Sequence, residues 1–367
     1  MSAVNRVLGL ALAALLALGV VIAVGLSIAG KLSVRPLTTV HGVIGSEKQP
    51  FFQDPAVIAA FHRNGYDVQV DTAGSRQIAT SVDLSHYDFA FPAGVPAAQK
   101  IQADHHAKAV YQPFYTPMAI ATWKPIVALL EANGIASEQG GYPILDMQKY
   151  LALVDKNTRW SDLANNSLYN ANKSVLITST DVRTSNSAAM YLSIASYVDN
   201  SNNIVADDTT AAQVAPKVAP IFLRQGFTQT SSEGPFTDYL TIGIGTAPMV
   251  MIYEAQYLAL QTAHDPSLTS QMVLMYPNPT VYSKHTLVPL NGKGDEIGRL
   301  LLQDKDLQQL AVKYGFRTAD TAGFNKYLAD RGVPQPPALV NVIDPPAYEP
   351  LETMINAIDQ LYKGGTA

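Results

Sequence analysis

From Leu37 onward, strand-like and helix-like segments alternate, and this alternation constrains the fold more than any other feature. Leu37 to Ile44 reads as a strand that ends in Gly45-Ser46-Glu47. Asp54 then caps a helix with Pro55 at its first position, where the missing amide has no helical partner to lose. Val57, Ile58 and Phe61 give this helix an apolar face, and Asn64-Gly65 stops it. Tyr66, Val68 and Val70 alternate as a half-buried strand running into Thr72-Ala73-Gly74-Ser75-Arg76 and another helix. Tyr87 to Phe91 is a third, short strand.

A second block follows the same grammar. Met118 to Trp123 reads as a strand, and Lys124-Pro125 opens a helix ending at Asn133-Gly134. Asp146 to Val154 is helical, Ser174 to Thr178 is a strand, and a Ser-rich turn then starts a helix through Tyr197. Asp199 to Asp208 is an Asn- and Asp-rich loop, and Ala211 to Gln225 is a helix kinked by Pro216 and Pro220. Ala247 to Ile252 is a strong strand with a helix behind it to Thr262. Met272 to Tyr276 and His285 to Val288 are strands, with amphipathic helices at Glu296 to Gln303 and Asp306 to Tyr314. Such alternation predicts an α/β fold with a largely parallel sheet and helices on both faces. The apolar stretches Val110 to Ala121 and Ala247 to Ile252 suit paired crossings between two lobes. Lobe one is then expected at residues 38–112 and 252–367, and lobe two at 113–251.

Residues 1–36 stand apart. From Val7 to Gly30 the chain carries no charge, and an apolar run above about 18 residues reads as a membrane-spanning helix. The other reading is a secretory signal cleaved at the small-x-small site Ser27-Ile28-Ala29. Either way the chain from about Lys31 is expected on the extracytoplasmic face, tethered to the cell membrane or, if cleaved after Ala29, secreted. A net charge of −5 argues against nucleic acid, whose phosphates need a basic face. With no Cys there is no disulfide, thiolate chemistry, Cys-based metal site or lipidated N-terminal Cys.

In open α/β sheets, ligands bind beyond the carboxyl ends of the strands. Three such ends here are small, hydroxyl-rich and placed at a helix start: Gly45-Ser46, Thr72 to Arg76, and Thr180 to Ser187. Unpaired amides and a partial positive charge make helix starts suitable for oxyanions and carboxylates. The candidate ligand-binding residues are therefore Ser46, Thr72, Gly74, Ser75 and Arg76 from lobe one, with Asp181, Arg183, Ser185 and Ser187 from lobe two. Both arginines have the fork geometry that binds a carboxylate or oxyanion two-pronged. The competing reading is that the serines only cap helices and the arginines point outward.

These stretches carry a family resemblance. Trp160-Ser161-Asp162-Leu163, the strand Val175-Leu176-Ile177 and the turn Thr180-Asp181 to Ser187 resemble the "W-x-D-L … strand … D-P-x-x-S-x-S" signature of the extracellular solute-binding proteins of ABC transporters. Gly45-Ser46, Thr72 to Ser75, Pro248 to Glu254, and Tyr276 to Thr280 with His285 are similar to further family stretches. The resemblance implies a two-lobed type II periplasmic-binding-like fold, preceded here by the N-terminal helix. It also implies a small-molecule solute, an ABC permease as partner, no cofactor and no enzymatic activity. The chain departs from the pattern at Val182, where Pro is frequent, and at Ala188, where Gly is common. It also lacks the Arg-x-Asp-Gly-Ser-Gly-like string of phosphate binders.

Other chemistries leave no trace. There is no Gly-x-Ser-x-Gly elbow, Ser-x-x-Lys, His-Glu-x-x-His or Walker loop. Asp104-His105-His106 is no metal site on spacing, since adjacent helical side chains diverge. Two functions remain: capture of a small polar or anionic solute in an interlobe cleft for an ABC-type importer, or a membrane-tethered sensor or cell-surface interaction module with the same fold and no transport role.

Overall fold

A computed structural model of the chain describes residues 36–226, 229–339 and 341–364. The expected anchor or signal segment, with its cleavage site, lies outside them but for Pro36. Among the described residues, no helix is long and apolar enough to cross a membrane.

The strands are β1 (Thr38–Ile44), β2 (Tyr66–Thr72), β3 (Phe89–Phe91), β4 (Tyr111–Trp123) and β5 (Ala136–Gln139). They continue as β6 (Tyr142–Asp146), β7 (Met249–Tyr253), β8 (Met272–Asn278), β9 (Thr280–Pro289) and β10 (Val342–Ile343). One continuous sheet runs β2-β1-β3-β9-β4-β8-β6-β5, with β10 beside β9 and β7 beside β4. It is mixed rather than largely parallel. β1 is parallel to β2 and β3, and β6 to β8, whereas β9 runs antiparallel to its neighbours β3 and β4, and β4 antiparallel to β7 and β8.

β4 and β9 are long because each belongs to two bodies. β4 pairs with β9 from Tyr111 to Pro117, and with β7 and β8 from Met118 to Trp123. β9 reaches β3 at Val288 and Pro289 and β10 at Thr280 and Val281. The second crossing is therefore Thr280–Pro289, not Ala247–Ile252. All five residues of β7 are buried, and the strand is spent pairing with Met118 to Thr122. β7 thus joins the second core, and β9 runs from Val281 in that core to Val288 in the first lobe.

Each lobe has its own core. In the first, Val40, Ile44, Phe52, Phe61, Phe89, Phe114 and Phe316 pack on one sheet face. Val43, Ile78, Ala90, Ile101 and Val288 pack on the other, as the two-residue side-chain period of β1 requires. In the second, Ile120, Leu129, Tyr150, Trp160, Tyr191, Val250 and Tyr276 form a larger cluster.

The helices that position the seam between the lobes are α1 (Ser75–Thr80), α2 (Val95–Asp104), α3 (Asn186–Asp199), α4 (Asp208–Val218), α5 (Glu233–Thr241), α6 (Glu254–Thr262) and α7 (Tyr348–Gly364). α7 packs on α4, and its Leu351, Met354, Ile355 and Ile358 enter the second core although it is last in the chain. Ser174 to Thr178 is not a strand. Among the described residues it makes single bridges, Ser174 to Arg159 and Thr178 to Val250.

Candidate functional site

The end of β1 folds into a short turn, Ser46–Lys48, that buries an ion pair. Lys48 is fully buried, and its ammonium donates to Glu47 Oε1 and, at 3.2 Å, to His285 Nδ1 on β9. The Phe91 ring lies 4.8 Å below the ammonium. Burial alone would raise the Glu47 carboxyl, but Lys48 at contact and the bond to His285 carry it down to about 2. Burial, with the Lys48 charge adding to it, pushes His285 down to about 4, so its ring is neutral. The same Nδ1 lies 3.4 Å from Glu47 Oε1, so one ring nitrogen faces both members of the pair. His285 Nε2 is buried without a hydrogen-bond partner among the described residues.

A polar path then crosses the seam. Ser75 Oγ accepts from the Ala93 amide at 2.8 Å, and Ser283 Oγ donates to the Ala93 carbonyl. Asn186 Nδ2, in the first turn of α3, reaches Ser283 Oγ at 3.3 Å and the Tyr253 hydroxyl at 3.0 Å. Thr180 Oγ1 lies 2.8 Å from Ser187 Oγ, which lies 3.0 Å from Ser185 Oγ. Ser185, the residue before α3, makes no side-chain cap bond, so its hydroxyl serves this chain instead. Tyr253 stays protonated, because burial and the Glu47 charge hold its phenol far above the usual range.

Two glycines mark where the lobes touch. A Cβ on Gly74 would sit 2.4 Å from the Thr184 carbonyl oxygen, and one on Gly94 would sit 2.2 Å from Asn186 Oδ1. At Gly74, where the neighbour is backbone, only a residue without a side chain permits the approach. The turn after β2 thus lies against the turn before α3.

The sequence matches no protein-family model and no curated protein. Solved structures do match. The sulfate-binding protein SubI from Mycobacterium tuberculosis superposes with a TM-score of 0.54 at 14% identity, covering 88% of this chain and 98% of its own. A putative extracellular solute-binding protein from Bordetella parapertussis gives 0.51 at 11% identity over 90% and 99%. Apo ferric ion-binding protein A from Pasteurella haemolytica gives 0.50 at 11% identity over 89% and 96%. This is a type II periplasmic-binding fold.

Within the periplasmic-binding fold, the predicted residues divide into four groups. Gly74 meets the Asp181–Ser187 turn at the seam, where Ser185 and Ser187 form the buried hydroxyl chain, while the Ser75 hydroxyl binds the Ala93 amide. Ser46 crosses the seam elsewhere, with its Oγ 2.9 Å from Ser231 Oγ. Thr72 ends β2 exposed and takes no part. Arg76 and Arg183 lie at the seam too, yet neither fork is free for a ligand. Arg76 grips Glu352 of α7 through Nε at 2.8 Å and Nη2 at 2.6 Å, and its Nη1 donates to the Arg183 carbonyl at 2.9 Å. Arg183 closes on Asp181 of its own turn at 2.6–3.1 Å, touches Asp359 at 3.4 Å and lies over the Tyr362 ring. Asp181 is thereby a partner of Arg183, not a free acceptor.

Several seam residues were not predicted from the sequence: Glu47, Lys48, Asn186, Tyr253, Ser283 and the His285 side chain. Asn186 stands inside the Ser-rich turn, and Glu47-Lys48 follows directly on Gly45-Ser46. That adjacency was the available signal.

Proposed function

We propose that the chain is an extracytoplasmic solute-binding protein that holds a small polar or anionic solute between its lobes for an ABC-type importer. The observation that carries this reading is the meeting of two hydroxyl-bearing helix starts from different lobes, at Gly74-Ser75 and Thr184-Ser185. A solute there would touch both lobes at once, which is what drives hinge closure in such folds. With Arg76 and Arg183 paired internally, hydroxyls and helix-start amides would supply its hydrogen bonds. The work is binding and release, without catalysis. The N-terminal apolar segment would keep the protein at the membrane, near the permease.

Native mass spectrometry of the freshly purified full chain, followed by calorimetry with sulfate, molybdate and a sugar phosphate, tests this. A co-purified small molecule, or saturable binding of one of these anions that weakens tenfold or more in Ser185→Ala, is expected. A chain that carries no solute and binds none of the anions would overturn the reading in favour of a sensor or surface module.

A further inference from the structure

A cavity of about 560 Å³ opens beneath Ser46 and Glu47, between the first lobe and helices α5 and α6 of the second. That volume lies in the range of small-molecule sites. Of the nine predicted site residues only Ser46 lines it, so it is not the hydroxyl chain described above. Its walls are Phe236, Leu240, Tyr253, Leu260, Tyr314 and Phe316. Phe236, Tyr253 and Phe316 are 6%, 2% and 2% exposed, so these are core side chains facing an open volume.

Glu47 lines the cavity, and its side chain is only 8% exposed. Its Oε1 takes the Lys48 bond, while Oε2 accepts no hydrogen bond among the described residues. A carboxylate has about four acceptor positions, so Oε2 is open to a donor. The remaining charged side chains of the wall are engaged or peripheral. Lys313 holds Asp54 at 2.7 Å, Arg331 lies 3.6 Å above the Tyr327 ring, and Glu233 is exposed.

We propose that this cavity is a second binding site, for an uncharged organic molecule with an aromatic or aliphatic body and one hydrogen-bond donor, its donor on Glu47 Oε2. The charge follows from the neighbours. An anion would meet Glu47 in an apolar chamber, and a cation would meet a carboxylate already neutralised at contact by Lys48. An uncharged donor completes Glu47 at no cost in buried charge. The aromatic walls favour ring stacking or edge contact by the body. Because the walls come from both lobes, an occupant would also bridge them. This proposal does not depend on the identity, or the existence, of a solute at the hydroxyl chain.

The probe is 5-fluoroindole, uncharged and aromatic with one N–H donor, followed by fluorine NMR with the full chain in detergent micelles. A saturable shift of the fluorine resonance is expected, weakened tenfold or more by either Leu240→Trp or Ala259→Trp, each of which fills the cavity. Melting curves by circular dichroism check that both variants fold. A measurement on the unaltered chain guards against their misfolding: nuclear Overhauser contacts from the probe to Leu240 and Leu260 methyl groups. No saturable shift, a shift that survives both folded variants, or contacts to detergent alone would each overturn the site.

Discussion

Arg317 and Arg76 each hold a carboxylate on the far side of the seam with a two-pronged bond, yet one pair is deep and the other shallow. Arg317 binds Glu254 through Nε at 2.8 Å and Nη2 at 2.6 Å, with Tyr276 adding a third bond at 2.6 Å. It sits beside the crossing strands, bridged to Tyr115 of β4, and the two side chains are 16% and 0% exposed. Arg76 binds Glu352 with the same distances, but its side chains are 27% and 15% exposed and lie away from the crossings. Equal geometry does not mean equal consequence. Water can replace the partner of Arg76 when the lobes part, whereas Glu254 has no route to water without unfolding. The deep pair is a fixed joint, and the shallow pair is a clasp that can open. The Glu47–Lys48–His285 cluster belongs with the joint.

The largest effect should come from breaking the joint on one side. Arg317→Met leaves Glu254 buried without its guanidinium partner, which should cost about 3–5 kcal/mol in urea unfolding. A loss near 1 kcal/mol would place the two pairs in one class and dissolve the distinction.

Acid should act on the deep cluster next. His285 has its folded pKa lowered to about 4 from an ordinary 6.5, so the unfolded chain takes up the proton first as pH falls. Stability is therefore intact above pH 6.5 and declines from there toward pH 4, by up to roughly 3 kcal/mol. Glu47, lowered from 4.5 to about 2, adds a further loss below pH 4.5. Denaturant midpoints measured across this range for the unaltered chain and for His285→Gln should diverge below pH 6.5. Parallel curves would mean that His285 does not report on the cluster.

Opening the clasp should be milder. Arg76→Met is expected to cost about 1 kcal/mol, with a loss that shrinks in high salt because the pair is partly exposed. It should also widen the molecule, read as a larger radius in X-ray solution scattering. An unchanged radius would show that Glu352 and Arg76 do not hold the lobes together.

How much of this was legible follows from sequence distance. Strand ends and helix starts are set by neighbours, so Asp54 and Pro55 announce their helix, and Gly45-Ser46 and Thr184-Ser185 announce the turns at the seam. The partner of Arg76 is 276 residues away on a helix whose lobe is decided by burial of Leu351 and Met354. Nothing local says that its fork is taken. The same holds for the crossings. β7 is more apolar than β9, and only pairing with Met118 to Thr122 reveals which core it joins. Lys48 is the hardest case, since lysine is ordinarily exposed and its burial depends on His285 and Phe91 arriving from other strands.

The smallest effect on stability, and the sharpest on closure, is expected from Gly74→Ala. Gly74 has φ −63° and ψ 143°, a conformation that alanine adopts freely. Within the first lobe the change should be neutral or stabilising by about 0.5 kcal/mol, because the unfolded chain loses freedom. Across the seam it is forbidden. The new Cβ would stand 2.4 Å from a backbone oxygen at Thr184, and backbone cannot swing aside as a side chain does. The variant should therefore unfold at the same urea concentration as the unaltered chain while scattering as a wider particle. The companion Gly94→Ala meets only the movable Asn186 side-chain oxygen and should close almost normally. Equal radii for Gly74→Ala and the unaltered chain would mean that the two turns are not in contact in solution, and the clasp would then have nothing to hold shut.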